Sequence, residues 1–318
     1  MVASKFKSPV LFLVFNRPDT TSRVFEAIRK AKPTRLYVAC DGPRANRADD
    51  VGNVSKVREI VKNVNWSCKV KYLFRNENLG CGRAVSEAIS WFFKNEKMGI
   101  ILEDGCLPDQ SFFPYCSELL EKYKTENKIM MISGDNFQYN GGIKVSESYF
   151  FSKYAHIWGW ATWRRAWNKF DLNLTDWPKI KGTSAASELF DSNDEKKYFS
   201  KAFDLIYENP GFTWDIQWLF VCWKNNSLCV YPSKNLVKNI GFDGQYTNTL
   251  AKKKFILETP LESIGKLKHP ARIERNFEAD KITFNRWFKK SALKLVLDSL
   301  PIGVQVYLRS VYVKFLRR

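Results

Sequence analysis

Histidine and paired cysteines are scarce in this 318-residue chain, which has two His and seven Cys with no CxxC spacing. Structural zinc sites use four cysteine or histidine ligands at short, regular spacings, so a zinc site is not expected. The odd number of cysteines favours free thiols in a reducing cytoplasm. The chain also lacks a GxxxxGK[ST] sequence and a complete GxGxxG sequence, which disfavours a P-loop ATPase and a nicotinamide-dependent enzyme.

Long hydrophobic runs are missing too, since no stretch approaches the roughly 20 consecutive apolar residues of a membrane-spanning helix. The N-terminus, MVASKFKSPVLFLVFNRPD, imitates a signal peptide, but its apolar run Pro9–Phe15 is short and lacks a cleavage signal. We therefore predict a buried strand there, in a protein that is soluble or peripherally attached to a membrane. Internal repeats and low-complexity tracts are also absent.

Aromatic residues and positive charge are abundant. The chain has 11 Trp, 13 Tyr and 24 Phe, which predict a packed core and also suit stacking on carbohydrates or bases. The net charge is +18, and residues 251–318 hold 16 Lys/Arg against 6 Asp/Glu. Such a segment is attracted to phosphate groups or anionic lipid headgroups. Nucleic-acid binding is disfavoured, because the charge is concentrated at one end and is not interleaved with aromatic residues.

The first 135 residues alternate short apolar runs with helical periodicity. The predicted strands are Pro9–Phe15, Leu36–Cys40, Val70–Phe74, Gly99–Leu102 and Met130–Ser133. The predicted helices are Thr20–Lys30, Ser55–Asn63, Gly82–Asn95 and Gln110–Lys124. This alternation predicts an α/β fold whose mostly parallel sheet is covered by helices on both faces. Ligands of such sheets bind at the carboxyl ends of the strands.

The rest of the chain has a different character. Aromatic-rich pieces such as YAHIWGWATWRRAW predict a substrate-shaping half, residues 136–250, packed on the sheet. Residues 251–318 predict a basic linker followed by two amphipathic helices that are separated at Pro301–Gly303. We expect these helices to anchor the protein at a membrane surface, with packing on the core or a homodimer contact as alternatives. The apolar faces comprise Trp287, Phe288, Leu293, Leu295, Val296 and Leu297, and the basic faces comprise Lys289, Lys290, Lys294, Arg309, Lys314, Arg317 and Arg318.

Four polar clusters follow the first four predicted strands. They are Asn16-Arg17-Pro18, Asp41-Gly42-Pro43-Arg44, Arg75–Ile89 and Glu103-Asp104-Gly105. In the third cluster Gly80 and Gly82 open a helix, whose free N–H groups would suit a diphosphate together with Arg75 and Arg83. An ordinary helix start is the alternative for that cluster.

Several carboxylates are candidates for the chemistry. Asp41 would accept hydrogen bonds from a base or ribose, or else form a turn. Glu103 and Asp104 would hold a divalent cation that bridges two phosphates, or else form an acidic turn. Asp215, in TWDIQW, would act as a general base on a sugar hydroxyl, or else begin a helix among core tryptophans. His156 would contact phosphate or stabilise a loop.

Taken together and in order, these motifs resemble the nucleotide-diphospho-sugar transferase superfamily, which has the GT-A fold. The resemblance is in particular to bacterial family-2-like glycosyltransferases with an N-acetylglucosaminyltransferase I-like motif region. It spans roughly Ser8–Thr249 and implies a GT-A domain over residues 1–250, whose first 135 residues bind the nucleotide sugar. The motifs that carry it are PVLFLVFNRPD, ACDGPR, RNENLGCGRAVSEAI, ILEDGCLPDQSFF, MISGDNF, HIWGWATWRRAW, WDIQW and NLVKNIGFDGQYTNT.

The resemblance implies roles for individual residues. The base and ribose would be surrounded by Phe15, Arg17, Asp41 and Arg44. The diphosphate and donor sugar would be lined by Arg75, Asn78, Gly80 and Arg83. Glu103 and Asp104 match the family's Glu-Asp-Asp motif, and Asp215 matches its catalytic base. Acceptor sugars would stack on Trp158, Trp160 and Trp214, for which core positions are the alternative.

The implied activity is inverting transfer of a hexosyl or N-acetylhexosaminyl group to a glycan or lipid-linked oligosaccharide. The implied setting is bacterial surface polysaccharide synthesis at the inner face of the cell membrane. Relatives use Mn²⁺ or Mg²⁺, but Gly105 stands where the last aspartate of their motif usually contacts the metal. Asn248 stands where they often have a histidine.

Three alternatives stay open at the metal-linked positions. Asp104 and diphosphate oxygens hold a metal weakly, or cations such as Arg83, Arg164 and Arg165 replace it. In the third alternative, a catalytically silent protein binds nucleotide or glycan.

Overall fold

The computed structural model describes residues 6–138, 142–241 and 258–289. The strands are β1 (Val10–Val14), β2 (Arg35–Cys40), β3 (Lys69–Phe74), β4 (Met98–Glu103), β5 (Cys106–Pro108), β6 (Ile129–Ser133), β7 (Tyr149–Ser152), β8 (Trp160–Trp163), β9 (Leu228–Pro232) and β10 (Val237–Asn239). The helices are α1 (Pro18–Ala31), α2 (Ala48–Lys62), α3 (Gly80–Asn95), α4 (Phe112–Lys122), α5 (Arg164–Trp167), α6 (Trp177–Ile180), α7 (Ser184–Ser187), α8 (Asn193–Glu208), α9 (Asp215–Lys224) and α10 (Phe277–Thr283). A π-helical turn, Phe284–Phe288, follows α10.

Eight of the described strands form one sheet in the order β3-β2-β1-β4-β8-β6-β9-β7. The first four strands in this order are parallel to one another, as are β6 and β9. Strand β8 runs antiparallel between β4 and β6, and β7 is antiparallel to β9. The predicted α/β fold, with a mostly parallel, Rossmann-like sheet, is confirmed.

Apart from the edge strand β3, whose side chains are exposed or half-buried, the sheet is buried on both faces, and β1 shows why such strands are apolar throughout. Val10, Phe12 and Val14 belong to one hydrophobic cluster, whereas Leu11 and Leu13 belong to the other. Helices α1, α2 and α4 contribute to the first cluster, and α3, α8 and α9 contribute to the second. Because strand side chains alternate between faces, a strand covered on both sides needs an uninterrupted apolar run. Each such side chain contributes roughly 1.5–3 kcal/mol on burial.

All strands and helices predicted in the first 135 residues are present, with small differences at their ends. The largest difference is at α2, which was predicted to start near Ser55 and begins at Ala48. Two acidic residues, Asp49 and Asp50, occupy its first turn. Carboxylates in the first turn of a helix interact favourably with the helix dipole. The polar residues before Ser55, which were predicted as a loop, therefore form the start of α2.

Part of the segment predicted as linker and tail lies against the domain. Asp280 of α10 is buried and accepts hydrogen bonds from the Ser152 hydroxyl (2.5 Å) and the Lys153 N–H (3.3 Å). The Gln138 side-chain amide donates to the Ala279 carbonyl (2.7 Å). These contacts attach α10 to the edge of the sheet.

Other predictions for the C-terminal part lie outside the described residues. They concern the boundary at residue 250, Asn248, the break at 301–303 and the anchor residues beyond 289. Across the described ranges, no helix combines the length and the apolar composition needed to cross a membrane.

Candidate active site

The carboxyl ends of β1 to β4 meet around one cleft of about 340 Å³. Parallel strands end at the same edge of the sheet, so the polar clusters that follow them are brought together. Most residues predicted to bind the donor line this cleft: Phe15, Arg17, Asp41, Arg44, Arg75, Asn78, Gly80, Glu103 and Asp104. Arg83 is not among the lining residues, because its exposed guanidinium pairs with Glu87 (3.3 Å) one turn along α3.

Asp41 fixes the loop between β3 and α3. Its carboxylate accepts hydrogen bonds from the N–H groups of Leu79 (3.1 Å) and Gly80 (3.2 Å) and from the Asn78 side-chain amide (3.0 Å). Burial raises the pKa of Asp41, and the backbone donors act against that rise. These donors orient the Asp41 carboxylate in the wall of the cleft, and its hydrogen bonds to a base or ribose stay a prediction.

The start of α3 is less open to an anion than its glycines predicted. The Gly80 N–H faces Asp41, and the Gly82 N–H donates to the Gly211 carbonyl (3.3 Å). Arg75 extends along the helix, where it donates to the Ala84 carbonyl (3.2 Å) and pairs with Glu87 (3.3 Å). The donors expected to bind a diphosphate here are engaged within the protein.

Phe15 and Arg44 form an aromatic and cationic wall of the cleft, since the Arg44 guanidinium lies 5.3 Å from the centre of the Phe15 ring. The buried Asp50 holds Arg44 through Nε (2.6 Å) and Nη2 (2.9 Å) and accepts from the Asn16 amide (2.7 Å). The Arg44 hydrogen bond is the main cause that keeps the pKa of Asp50 well below its usual range. The sequence analysis missed Asp50, because an acidic residue near a helix start is too common to indicate a site. A ring beside a guanidinium suits a planar base.

Glu103 and Asp104 end β4 in different environments. One oxygen of Asp104 accepts a hydrogen bond from the Phe15 N–H (3.1 Å), and the other lies 3.9 Å from Nη1 of Arg17. Burial raises the pKa of Asp104, and Arg17 opposes this rise. Burial first, then the charges of Asp104 and Asp215, raise the pKa of Glu103 to about 8. One buried oxygen of Glu103 has no hydrogen-bond partner among the described residues.

The described residues do not fit the metal ion that the resemblance implied. Mg²⁺ and Mn²⁺ prefer oxygen ligands whose lone pairs are available, but both oxygens of Asp104 face protein N–H groups. Gly105 has no side chain to contribute. Across residues 6–138, 142–241 and 258–289, no group of three or more His, Cys, Asp or Glu could hold a metal ion.

Asp215 is the first residue of α9 and accepts a hydrogen bond from the Thr213 hydroxyl. Its charge contributes to the raised pKa of Glu103, after burial and the charge of Asp104. The preceding loop is held against α3 by the Gly82 N–H, which donates to Gly211. The fold therefore places the loop before Asp215 against the first turn of α3, which lines the donor cleft, and the role of Asp215 as a base stays a prediction.

The predicted acceptor tryptophans are divided between the core and the surface. Trp160 and Trp214 are 0% and 1% exposed and stack on each other at 5.5 Å between ring centres. Their rings are enclosed by protein, so the core alternative holds for both and neither offers a face to a sugar. Trp158 is half-buried and lines a small cleft, here called the aromatic cleft, with Phe137, Asn235, Val237, Lys238, Asn239, Thr259 and Trp287.

His156 packs against Phe137, one of the residues that line the aromatic cleft. It is buried, its Nδ1 lies 3.0 Å from the Asp135 carboxylate, and its ring packs on Phe137 with 4.0 Å between ring centres. It therefore stabilises a loop, one of the two predicted roles. Trp287, predicted to face a membrane, instead packs on Phe137 at 4.2 Å.

A larger cavity of about 810 Å³ lies at the amino ends of β1, β2 and β4, opposite the cleft. Arg164 lines this cavity and donates a hydrogen bond to the Glu96 carbonyl (3.0 Å). The next residue, Arg165, donates to the carbonyls of Tyr123 and Ile129 (both 2.9 Å). Both arginines lie at the amino end of β4, so they are too remote to replace a metal in the cleft, contrary to that prediction. Parallel sheets bind ligands at the other edge, which makes the smaller cleft the candidate site.

A scan against protein-family models finds no match, and a search of curated proteins also finds none. Among solved structures, mouse xyloside xylosyltransferase 1 in its apo form is 9% identical, with a TM-score of 0.35, covering 68% of this chain and 81% of its own. A UDP-glucose pyrophosphorylase complexed with UDP-glucose is 10% identical, with a TM-score of 0.36, covering 74% and 94%. HddC from Yersinia pseudotuberculosis is 13% identical, with a TM-score of 0.32, covering 50% and 77%. These values are too low to support a statement about activity, and the fold assignment rests on the strand order.

Proposed function

We propose that this protein is an inverting glycosyltransferase that moves a sugar from a nucleoside-diphosphate donor to a hydroxyl group of a glycan. The observation that carries the proposal is that the loop leading into Asp215 packs on Gly82 of α3, a helix whose first turn lines the same cleft as Phe15 and Arg44. The ring and guanidinium would bind the base, and the diphosphate would extend towards Arg17 and Asp215. The motif resemblance favours a hexosyl or N-acetylhexosaminyl group and a role in bacterial surface polysaccharide synthesis.

The chemistry needs one base and one source of positive charge. Asp215 would take the proton of the acceptor hydroxyl, whose oxygen forms a bond to the anomeric carbon while the bond to the diphosphate oxygen breaks. The electron pair of the broken bond leaves with the nucleoside diphosphate, and a cation of the cleft stabilises it. The hydrogen bond from Thr213 orients the Asp215 carboxylate for the proton transfer.

The aromatic cleft is the proposed acceptor site, and its volume of about 10 Å³ means that its rings must separate before a sugar can enter. Trp158 and Trp287 meet edge-on at 6.3 Å between ring centres, and Phe137 packs against both. The side chain of Asn239 lines this cleft and also touches the Gly105 turn that follows Asp104. A sugar stacked on these rings would therefore lie next to the donor cleft.

The test is transfer from a panel of nucleotide sugars to glycan acceptors, detected by mass spectrometry. Asp215→Asn should lower kcat by roughly 10²–10⁴-fold, because general-base catalysis contributes that much. Glu208, an exposed acidic residue at the end of α8, serves as the control. The Glu208→Gln variant should transfer sugar at the wild-type rate. Circular dichroism must show the same fold for all three proteins. Full activity in Asp215→Asn would exclude this residue as the base.

Gly105 favours one alternative function, a silent relative that binds nucleotide or glycan without turnover. Calorimetry with nucleoside diphosphates, together with the transfer assay, distinguishes the glycosyltransferase from the silent binding protein. Tight binding without transfer or hydrolysis of any donor in the panel would favour the binding protein.

A further inference from the structure

We propose that Arg17, and not a divalent metal ion, supplies the positive charge that stabilises the donor diphosphate. In this inference Gly105 and Gly241 provide the space that the Arg17 guanidinium occupies. It rests on the proposed function, and it changes the role of Arg17 from the base-and-ribose contact that the family resemblance implied.

Arg17 is well placed for this role. It follows β1 and directly precedes α1, so the positive end of that helix dipole lies beside it. Its side chain is 45% exposed and lines the cleft. Nη1 lies 3.9 Å from the Asp104 carboxylate, close enough for an ion pair that orients the guanidinium in the corner where the metal was expected.

The glycine at 241 gives the guanidinium its room. A Cβ at Gly241 would lie 2.7 Å from Nη1 of Arg17, closer than real Cβ contacts. The Gly241 N–H donates to the Asn239 side-chain oxygen (2.9 Å), which pins this turn in place. A larger residue at 241 would therefore displace the Arg17 guanidinium.

Gly105 belongs to the same packing. Strand β10 pairs with β5 so that Asn239 lies opposite Cys106, and the Ile240 N–H donates to the Gly105 carbonyl (2.7 Å). A Cβ at Gly105 would lie 3.3 Å from Gly241 Cα and 3.4 Å from the Asn239 oxygen. The position that would carry a further carboxylate thus contacts the turn that makes room for Arg17.

The other predicted diphosphate donors have protein partners, as Arg17 has in Asp104, so the choice of Arg17 rests on its place in the corner formed by Gly105 and Gly241. Arg75 and Arg83 both pair with Glu87, and the Gly80 N–H bonds to Asp41. Arginine suits the stabilisation of a diphosphate, because its planar guanidinium donates two parallel hydrogen bonds to phosphate oxygens and keeps its charge at any working pH.

Calorimetry with UDP, GDP and dTDP, in excess EDTA and in Mn²⁺, tests the inference. Wild-type protein should bind its preferred nucleotide with the same Kd in both conditions. Arg17→Ala should weaken binding by roughly 10–100-fold, the worth of hydrogen bonds to a charged group. Arg17→Lys should keep part of the affinity. Arg23→Ala, which removes an exposed arginine from α1, the helix that Arg17 precedes, should bind like wild type.

The matching nucleoside without phosphates separates the two roles of Arg17. It should bind wild type and Arg17→Ala equally, since the proposed contact is with phosphate. An equal loss for nucleoside and nucleotide would overturn the inference, because Arg17 would then contact the base or ribose. Binding that requires Mn²⁺ would also overturn it and leave the proposed function standing. No nucleotide binding in either condition would remove the proposed function and this inference with it.

Discussion

Three carboxyl groups near the cleft show how neighbouring donors set the behaviour of single residues. Asp50 is paired with Arg44, and Asp41 accepts from backbone N–H groups of the next loop. Glu103 lies beside two further carboxylates, Asp104 and Asp215, and its pKa is about 8. The partner of Asp50 thus lowers the pKa of its carboxyl group, whereas burial and like charge raise the pKa of Glu103.

Asp50→Asn should lower the free energy of unfolding by about 2 kcal/mol at pH 7, because it removes charged hydrogen bonds to Arg44. The folded-state pKa of Asp50 is depressed, so its contribution is complete above the unfolded value of about 3.9 and is lost as the pH falls towards the folded value. The difference from wild type should therefore be constant from pH 7 to about 4 and narrow below. Urea unfolding at several pH values measures it.

The matched control for this prediction is Asp49→Asn, since Asp49 is exposed in the same first turn of α2. It should change stability by less than about 0.5 kcal/mol. A gap between Asp50→Asn and wild type that widens at low pH would contradict the assigned pKa direction.

At the scale of elements, the position of Asp215 depends on the contact between α3 and the loop before α9. A Cβ on Gly82 would lie 2.6 Å from the Gly211 carbonyl oxygen and 2.9 Å from that of Thr213. Both atoms are backbone, so a side chain at 82 cannot be accommodated by a rotamer change. The close approach of α3 and this loop therefore requires glycine.

Gly82→Ala should destabilise the protein by about 1–3 kcal/mol, because it overpacks this contact. It should also lower kcat by moving the loop that carries Asp215. The two readouts are thermal unfolding and the transfer assay. Gly52→Ala is the control: its Cβ would meet nothing within 4 Å on the exposed side of α2, so it should stabilise the helix by up to about 1 kcal/mol. Equal stability of both variants would contradict the packing.

At the scale of the whole molecule, the C-terminal part of the chain combines two features. Residues 276–288 close the aromatic cleft and attach to β7 through Asp280. The basic charge continues beyond them, into residues 290–318. A segment that contributes Trp287 to the aromatic cleft and is followed by further basic residues would bring that cleft near an anionic membrane.

The full-length protein should float with vesicles that contain anionic lipid at low salt and float less as salt rises, since the attraction is screened. Replacing Lys314, Arg317 and Arg318 by Ser should reduce flotation about as much as raising the salt concentration does. Vesicles of neutral lipid alone are the control and should bind little protein. Equal flotation with neutral and anionic vesicles would exclude an electrostatic anchor.

The local pattern of the sequence was sufficient for five of the eight strands of the sheet, β1 to β4 and β6, and for the strand ends where the candidate site lies. Apolar runs such as Pro9–Phe15 predict strands buried on both faces, and polar residues after them predict a cleft where parallel strands end. Both signals depend on neighbours along the chain, so they can be read without coordinates.

Only the tertiary structure decided which of these polar and aromatic residues face the cleft. Arg17 and Arg83 have the same chemistry, yet one lines the cleft and the other pairs with Glu87. Trp158 and Trp160 are two residues apart, yet only the second is enclosed by the core. The turn at Gly105 contacts Gly241 through the β5–β10 pairing, between strands far apart in the chain. Periodicity encodes whether a position is buried, whereas the partner of a side chain depends on segments that folding brings together from distant parts of the sequence.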